Sequence, residues 1–255
     1  MSQTTTTKGL PKAQRGERLF ELNTGSVVGV RGKTTDRVLR RLQTAVSTYQ
    51  VTPATFRDTL GKVNRSGYVR VLFGPGDYNL GDALDITADG VQFMATVPGA
   101  ARLVLDSPGT KARGHIVTAR GADFVLSGLV LYDAVGSTYS VTCLGERAVV
   151  ERCTFEDGDG AVYLQGSGHT LRDCTVLNSR NTEAVYLFNA DSAVVIGNRL
   201  MAGTSGNRDL YCNSGSNGCS LVGNVAEPGG GTLTYFIASG TVEAGNVFGT
   251  ISALP

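Results

Sequence analysis

From about Leu84 to Val247 the sequence repeats with a period near 24 residues, and this repeat limits the possible folds more than any other feature. One series of short apolar strands ends, in steps of 24, 21, 24, 26 and 22 residues, at Leu129, Cys153, Cys174, Asn198, Asn224 and Asn246. A second series carries tyrosines 23, 25 and 24 residues apart, at Tyr163, Tyr186, Tyr211 and Tyr235. Two series that advance together indicate one structural unit repeated along the chain.

The period selects one repeat architecture. It is too short for a propeller blade, and the leucine spacing of leucine-rich repeats is absent. What remains is a coil of short strands that stacks on its neighbours, a parallel β-helix. A content of 34 glycines, no tryptophan and no helical pattern after Tyr78 agree with an all-β fold. We therefore predict a single-stranded parallel β-helix of about eight coils, each rising about 4.8 Å.

The repeat begins at the stretch Tyr68–Tyr78, YVRVLFGPGDY. Apolar residues alternate with others from Val69 to Phe73, which is typical of a strand. Gly74-Pro75-Gly76 then combines a fixed φ with two residues free to adopt positive φ, so a sharp turn is expected. The stretch thus marks the start of the β-helix.

Before this stretch the pattern is helical. Residues 34–49, TTDRVLRRLQTAVSTY, place their apolar side chains on one face, and a second short helix is expected to start near Thr52-Pro53. We predict three segments: an attachment arm over residues 1–33, a helical cap over 34–66 and the β-helix over 67–255.

Charge is divided unevenly along the chain. Residues 1–66 contain 12 Lys and Arg against 4 Asp and Glu, whereas residues 67–255 contain 11 against 18. A basic head suits docking to an acidic surface, although the arginines of the predicted helix can also simply face solvent. The arm cations expected to mediate attachment are Lys8, Lys12, Arg15 and Arg18.

The cysteines do not suggest a metal site or a cofactor. The sequence has five cysteines, no CxxC pair and two histidines, so we expect no zinc site and no bound cofactor. The start of the chain is polar and no apolar run reaches membrane length, so we expect no membrane insertion and reduced thiols.

The strand-end series predicts an internal ladder. Asn198, Asn224 and Asn246 should stack at one turn, because asparagine tolerates the left-handed backbone and its amide both donates and accepts. Cys153 and Cys174 should continue the column, about one strand spacing apart and within disulfide range. We expect stacked thiols there, and a structural role for the whole column.

The tyrosine series is expected on the outer surface. The neighbours of Tyr163, Tyr186, Tyr211 and Tyr235 in their strands are mostly apolar and should point inward, which turns the tyrosines outward. An exposed aromatic stripe favours a subunit interface first and a glycan groove second, with ordinary β-propensity as the third explanation. A register shift of one residue would reverse this orientation.

Acidic residues gather just before the tyrosine strands, and the catalytic candidates among them are Asp159, Glu183 and Asp209. On neighbouring coils they could lie at the separations that retaining or inverting glycosidases require, about 5 Å or about 6.5–9.5 Å. Any β-helix with loop acids offers such pairs, so we favour no catalytic residue. If the chain is an enzyme, these three are the candidates.

The segment that begins at Thr34 resembles the opening of a known family. TTDRVLRRLQTAV followed by VRVLFGPGDYNL is similar to the start of the pectate-lyase-like right-handed β-helix superfamily, which includes virus tailspikes, and the GN-x-[FLV] repeats resemble its coil repeat. The resemblance implies a right-handed β-helix whose open end is plugged by the N-terminal helix. The polygalacturonase and pectate-lyase catalytic motifs are absent.

The resemblance, the basic arm and the missing catalytic motifs together suggest a function. We expect a bacteriophage virion structural protein, a short tailspike, fibre or capsid-decorating spike. It would form a homotrimer, bind other virion proteins through its arm and face out from the virion surface, with host glycan as a further candidate ligand and no nucleic-acid partner. The alternative is an extracellular polysaccharide lyase or glycoside hydrolase.

Overall fold

The computed structural model describes residues 20–21, 27–28, 47–105, 115–133, 139–179, 183–202, 208–226, 234–236, 240–247 and 250–251. The chain divides into two units, residues 1–45 and residues 46–255. In the first unit, strands β1 (Phe20–Glu21) and β2 (Val27–Val28) form an antiparallel pair. The arm cations Lys8, Lys12, Arg15 and Arg18 and most of the predicted 34–49 helix lie outside the described residues.

The described part of the second unit consists of three parallel sheets and one helix, α1 (Phe56–Ser66). Sheet 1 comprises β3 (Ser47–Val51), β4 (Val69–Phe73), β7 (Gln92–Ala95), β10 (Val125–Ser127), β13 (Val149–Glu151), β16 (Thr170–Arg172), β19 (Val194–Ile196), β22 (Ser220–Val222) and β25 (Val242–Ala244). Sheet 2 comprises β5 (Gly76–Asn79), β8 (Ala101–Leu105), β11 (Val130–Asp133), β14 (Thr154–Glu156), β17 (Thr175–Ser179), β20 (Arg199–Ala202) and β23 (Val225–Ala226). Sheet 3 comprises β6 (Leu84–Ile86), β9 (Val117–Ala119), β12 (Val141–Cys143), β15 (Val162–Ser167), β18 (Val185–Asp191), β21 (Arg208–Cys212), β24 (Thr234–Phe236) and β26 (Thr250–Ile251).

The chain visits the three sheets in turn, and this order makes the fold a parallel β-helix. From β4 to β22 each strand pairs in parallel with the strand three places further along, which gives about seven coils. β25 and β26 begin a further coil. The predicted all-β parallel β-helix is confirmed, with α1 as its small helix near the N-terminus.

The strand-end series marks the two-residue corners between sheets 1 and 2. The first corner residue has a positive φ of 51–69° at Gly128, Arg152, Asp173, Gly197, Gly223 and Gly245. The second turns inward, and five of these residues are fully buried: Leu129, Cys153, Cys174, Asn198 and Asn224. Glycine suits the left-handed residue and asparagine the inward one, which explains the recurring Gly-Asn pair.

The structure corrects the C-terminal end of the predicted 34–49 helix. Ser47–Val51 is not helical but forms strand β3, which pairs in parallel with β4 from Ser47↔Val69 to Val51↔Phe73. β-Branched and aromatic residues dominate this segment, and the free edge of β4 offers backbone partners that a helix cannot use. Tertiary pairing therefore overrides the helical pattern of the local sequence.

The helix that covers the end of the sheets is α1, near the position expected for the second short helix. Its Arg57 side chain donates to the carbonyl of Asn79 in β5 (3.2 Å). Its Asn64 side chain donates to the carbonyl of Asp85 in β6 (2.7 Å) and accepts from the Thr87 amide (3.1 Å). α1 thus satisfies backbone groups at the edges of sheets 2 and 3, where open strands would invite pairing with another chain.

The core at this end is aromatic. Phe73 and Tyr78 lie 5.1 Å apart between ring centroids, and both rings contact Phe56 of α1 at 5.4 and 5.5 Å. The stack continues from Phe73 to Phe93 (5.4 Å) and from Phe93 to Phe124 (5.8 Å). These fully buried rings join the helix to the first coils through apolar contact. Within the described residues, no helix is both long and apolar enough to span a membrane.

The buried His169 makes contacts that depend on the neutral form of its ring. His169 is fully buried between β15 and β16; its Nδ1 accepts from the Ala148 amide (3.2 Å), and its Nε2 contacts the Gln165 carbonyl (2.9 Å). A neutral ring satisfies both contacts, whereas a protonated ring could no longer accept from Ala148. Burial accordingly holds the pKa of His169 below its ordinary value of 6.5.

We expect the free energy of unfolding to fall as pH drops below about 6.5, because the unfolded chain then binds a proton that the folded chain resists. Burial also lowers the pKa of His115, which acts in the same direction. Urea unfolding at pH 8 and pH 5.5 checks this. His169→Gln should reduce the pH dependence more than the matched variant His115→Gln, and equal stability of the wild type at both pH values would contradict the expectation.

Candidate functional site

The strand register brings three of the predicted tyrosines side by side on sheet 3. Tyr163 of β15 pairs with Tyr186 of β18, which pairs with Tyr211 of β21. The three side chains are half-buried, whereas their neighbours Val162, Leu164, Val185, Leu187, Leu210 and Cys212 are fully buried. The tyrosines therefore lie on the outer surface of the sheet.

Tyr235 does not align with these three tyrosines, which corrects the prediction that all four share one position in successive coils. The pairing of β21 with β24 shifts between Arg208 and Leu210, so that Tyr235 pairs with Leu210 and Phe236 pairs with Tyr211. Successive residues of a strand alternate between the two faces, so a shift of one residue exchanges them. By backbone register, Phe236 and not Tyr235 follows Tyr211.

Two further aromatic residues join the three tyrosines. Tyr163 contacts Tyr139 at 5.4 Å and Phe188 at 5.9 Å between ring centroids. Tyr186 contacts Tyr163 edge-on at 5.3 Å and stacks on Tyr211 at 4.9 Å. We call Tyr139, Tyr163, Tyr186, Phe188 and Tyr211 the aromatic face.

The repeat could have revealed one of these two additions. Phe188 lies two residues after Tyr186 in the same strand and so shares its outward direction. Tyr139 precedes β12 in a connection, where no period predicts its position.

An ion pair borders the aromatic face where the chain enters sheet 3. The carboxylate of Glu183 accepts from the Tyr139 hydroxyl at 2.9 Å and from Arg208 Nη1 at 3.2 Å. The guanidinium of Arg208 also lies over the Tyr211 ring, 4.4 Å from its centroid. Arg208 aligns with Glu183 because their strands pair at Val185↔Leu210. Sequence reasoning identified Glu183 but missed Arg208.

Amides border the opposite margin of the face. The Tyr163 hydroxyl lies 3.3 Å from Gln165 Oε1, within hydrogen-bond distance. Asn213 Nδ2 donates to Asn189 Oδ1 at 3.2 Å, and Asn213 Oδ1 accepts from the Asn189 amide at 2.9 Å. Asn189 is exposed and follows Phe188 directly in the chain. The aromatic rings thus lie between a charged margin and an amide margin.

Packing within the face raises the pKa of Tyr186, its central residue. Burial raises the pKa of Tyr186 to about 12, and the neighbouring Tyr211 and Glu183 contribute in the same direction. A tyrosine is already neutral at physiological pH, and the raised pKa keeps the Tyr186 phenol protonated to still higher pH.

The three candidate catalytic acids do not share one setting. Asp209 is fully buried within β21, Glu183 is held by Tyr139 and Arg208, and Asp159 is half-buried before β15. The register aligns Asp209 with Ala184, one residue beyond Glu183. Because Asp209 is not accessible to solvent, it does not form a substrate-facing pair with Glu183.

The asparagine column lies in the interior, away from the aromatic face. Asn198 Nδ2 donates to Asn224 Oδ1 at 2.9 Å, and Asn224 Nδ2 donates to Asn246 Oδ1 at 3.0 Å. Asn198 Oδ1 in turn accepts from the amide of Cys174 at 2.9 Å. Each amide thus bonds the next coil.

The cysteines of the described chain are free thiols and are buried. Burial raises the pKa of the Cys143 thiol to about 12 and raises that of Cys174, which lies next to Cys153 in the column. High thiol pKa values leave little thiolate to react or to bind a metal. Among the residues that the structure describes, no three His, Cys, Asp or Glu side chains are grouped so that they could hold a metal ion.

Comparison with known proteins gives structural neighbours without close relatives in sequence. No family model and no curated protein matches the chain. One similar solved structure is a mannuronic acid specific polysaccharide family 6 lyase from human gut microbiota, with a TM-score of 0.55, 13% identity, and coverage of 79% of this chain and 58% of the lyase. Another is Geobacillus virus E2 ORF18, with a TM-score of 0.41, 13% identity, and coverage of 92% of this chain and 48% of that protein.

Both neighbours are longer than the part that this chain matches, about half to three fifths of their length. At 13% identity the likeness to the lyase concerns the fold alone. The chain therefore shares a parallel β-helix fold with this lyase.

Proposed function

We propose that this chain is a structural protein of a bacteriophage virion, a short spike or fibre whose β-helix projects from the particle as part of a homotrimer. Residues 1–33 attach it to other virion proteins, and the aromatic face of sheet 3 contacts a further surface. The resemblance of the stretch from Thr34 to Leu80 to the opening of tailspike β-helices supports the virion context.

The observation that carries the non-catalytic part of this proposal is the state of the acids beside the aromatic face. Glu183 already accepts hydrogen bonds at both oxygens, from Tyr139 and from Arg208, and Asp209 is fully buried. A general acid or base needs a carboxyl group within hydrogen-bond reach of substrate. This arrangement favours a surface that binds over one that cleaves.

We expect deletion of residues 1–33 to abolish attachment to particles while the β-helix stays folded, because the arm carries the basic docking residues. Co-sedimentation of the truncated chain with particles lacking this protein measures attachment, and circular dichroism measures folding. A variant with Lys8, Lys12, Arg15 and Arg18 changed to serine should bind at least tenfold more weakly, since each lost cation removes a contact to an acidic surface.

The matched control changes Thr4–Thr7 to serine, which keeps the charge of the arm. This control should attach like the wild type. Particles decorated normally by the truncated chain would show that the arm is not the attachment segment.

A second candidate function is polysaccharide cleavage, as a lyase or a glycoside hydrolase. The observation in its favour is that Glu183, Arg208 and the Tyr139 hydroxyl converge beside an accessible aromatic surface. This candidate predicts release of oligosaccharides from a capsular or cell-wall glycan. Release should be lost in Glu183→Gln and kept in the exposed control Asp191→Asn; equal turnover in Glu183→Gln, Asp159→Asn and the wild type would remove these acids from consideration.

A further inference from the structure

The aromatic face has a composition that points to one class of ligand. Its five rings form a continuous series of contacts across four neighbouring coils, with centroid distances of 4.9–6.3 Å. Tyr163, Tyr186, Phe188 and Tyr211 are half-buried, and Tyr139 is buried with 5% exposure. The large hydrophobic residues of the described chain that are more exposed are aliphatic: Val97, Ile196, Val225, Val242 and Val247. Grouped aromatic rings on a surface commonly mark an interaction site.

Polar groups on both margins make the face suitable for a ligand rich in hydroxyl groups. Glu183 and Arg208 lie at one margin, and Gln165, Asn189 and Asn213 lie at the other. Amides donate and accept at the same time, as a sugar hydroxyl does. Ligand sites typically combine apolar or aromatic lining with a few polar groups that fix orientation.

The charges around the face distinguish neutral from acidic ligands. Among the described residues, the cation that contacts the face is Arg208, and its guanidinium is already held by Glu183 and by the Tyr211 ring. Residues 67–255 contain 11 Lys and Arg against 18 Asp and Glu, so the β-helix as a whole repels anions. A polymer with a carboxylate on each sugar would therefore meet repulsion, and among the described residues the cation at the face, Arg208, is already paired with Glu183.

We propose that the aromatic face binds a neutral glycan and not a uronic-acid polymer. This inference rests on the proposed function, because it names the ligand of the surface that the spike presents. The rings of Tyr186 and Tyr211 contact the apolar parts of the sugars, and the amide margin bonds their hydroxyls. A second copy of this chain on the same face is the competing occupant.

The test is a binding measurement on the full chain by titration calorimetry. The probes are hexasaccharides of glucose, of galactose and of mannose, with a mannuronate hexamer as the acidic comparison. We expect at least one neutral hexasaccharide to bind at least tenfold more tightly than the mannuronate hexamer. The double variant Tyr186→Ala and Tyr211→Ala should weaken that binding at least tenfold.

The matched control is Tyr132→Ala, which removes an outward, half-buried tyrosine from sheet 2, where it packs under Arg102 at 4.0 Å. This variant should bind like the wild type. Tighter binding of mannuronate, or no binding of any of the three neutral hexasaccharides at millimolar concentration, would overturn the proposal.

Light scattering tests whether a second copy of this chain, and not a glycan, occupies the aromatic face. If the wild type is an oligomer that the double variant converts to monomers, the face is a subunit interface and the glycan proposal fails. Attachment through the arm is measured separately on particles. If glycan binding fails, the proposed virion role is unaffected, and if particle attachment fails, the proposed glycan site is unaffected.

Discussion

Replacing Asn224 by alanine is expected to lower the free energy of unfolding by about 3–5 kcal/mol, because several buried groups lose their partners together. Asn224 is fully buried. Its Oδ1 accepts from the Asn198 amide at 3.1 Å and from Asn198 Nδ2 at 2.9 Å. Its Nδ2 donates to the Val195 carbonyl at 2.9 Å and to Asn246 Oδ1 at 3.0 Å.

Alanine leaves the Asn198 amide and the Val195 carbonyl buried without these bonds, and each such group costs about 1–3 kcal/mol. Urea unfolding followed by circular dichroism measures the loss. The matched control is Asn246→Ala, one coil further on, where the asparagine is only partly buried and water can replace the lost bonds. It should cost about 1–2 kcal/mol. Equal losses in the two variants would show that burial does not set the strength of the column.

The asparagine column also shows why the β-helix could be predicted from sequence. Its corners need a left-handed residue followed by an inward side chain, and few residue pairs meet both demands without strain. Gly197-Asn198, Gly223-Asn224 and Gly245-Asn246 meet them with the most suitable residues. Because the need recurs once per coil, local chemistry appears as a period that can be read along the chain.

The candidate site was predictable only where it follows the same period. Tyr163, Tyr186 and Tyr211 share one position in successive coils, so their outward direction follows from strand alternation. Tyr235 has a similar spacing, but the register shift before Leu210 moves it out of the column. A shift of this kind depends on how two strands meet in space and leaves no mark in the spacing of residues.

Contacts made by residues in connections and at sheet edges could not be predicted from the sequence for a related reason. Tyr139 reaches the aromatic face from the connection before β12, where the repeat does not fix the backbone. Arg208 lies within β21 and in register with Glu183, but the period of the sequence does not show that its guanidinium lies over the Tyr211 ring. Residues 47–49 are the end of the segment whose apolar pattern predicts a helix, but Ser47–Val51 pairs with the open edge of β4 as a strand. Both outcomes depend on partners that are distant in sequence.

The second large effect is expected at the other end of the core, where Phe73→Ala should lower the free energy of unfolding by about 3–5 kcal/mol. Phe73 is fully buried, and its ring contacts Phe56, Tyr78 and Phe93 at centroid distances of 5.1–5.4 Å. Removing the ring leaves a cavity between α1 and the first coils. The loss therefore combines transfer free energy with cavity cost.

The matched control is Phe188→Ala, which removes a ring from the outer face of sheet 3, where the side chain is only partly buried. Solvent fills the space that this change leaves, so the loss should be about 1 kcal/mol. Thermal and urea unfolding of both variants give the comparison. If Phe73→Ala is no more costly than Phe188→Ala, the aromatic stack does not hold α1 on the β-helix, and its hydrogen bonds from Arg57 and Asn64 to the edges of sheets 2 and 3 must do so instead.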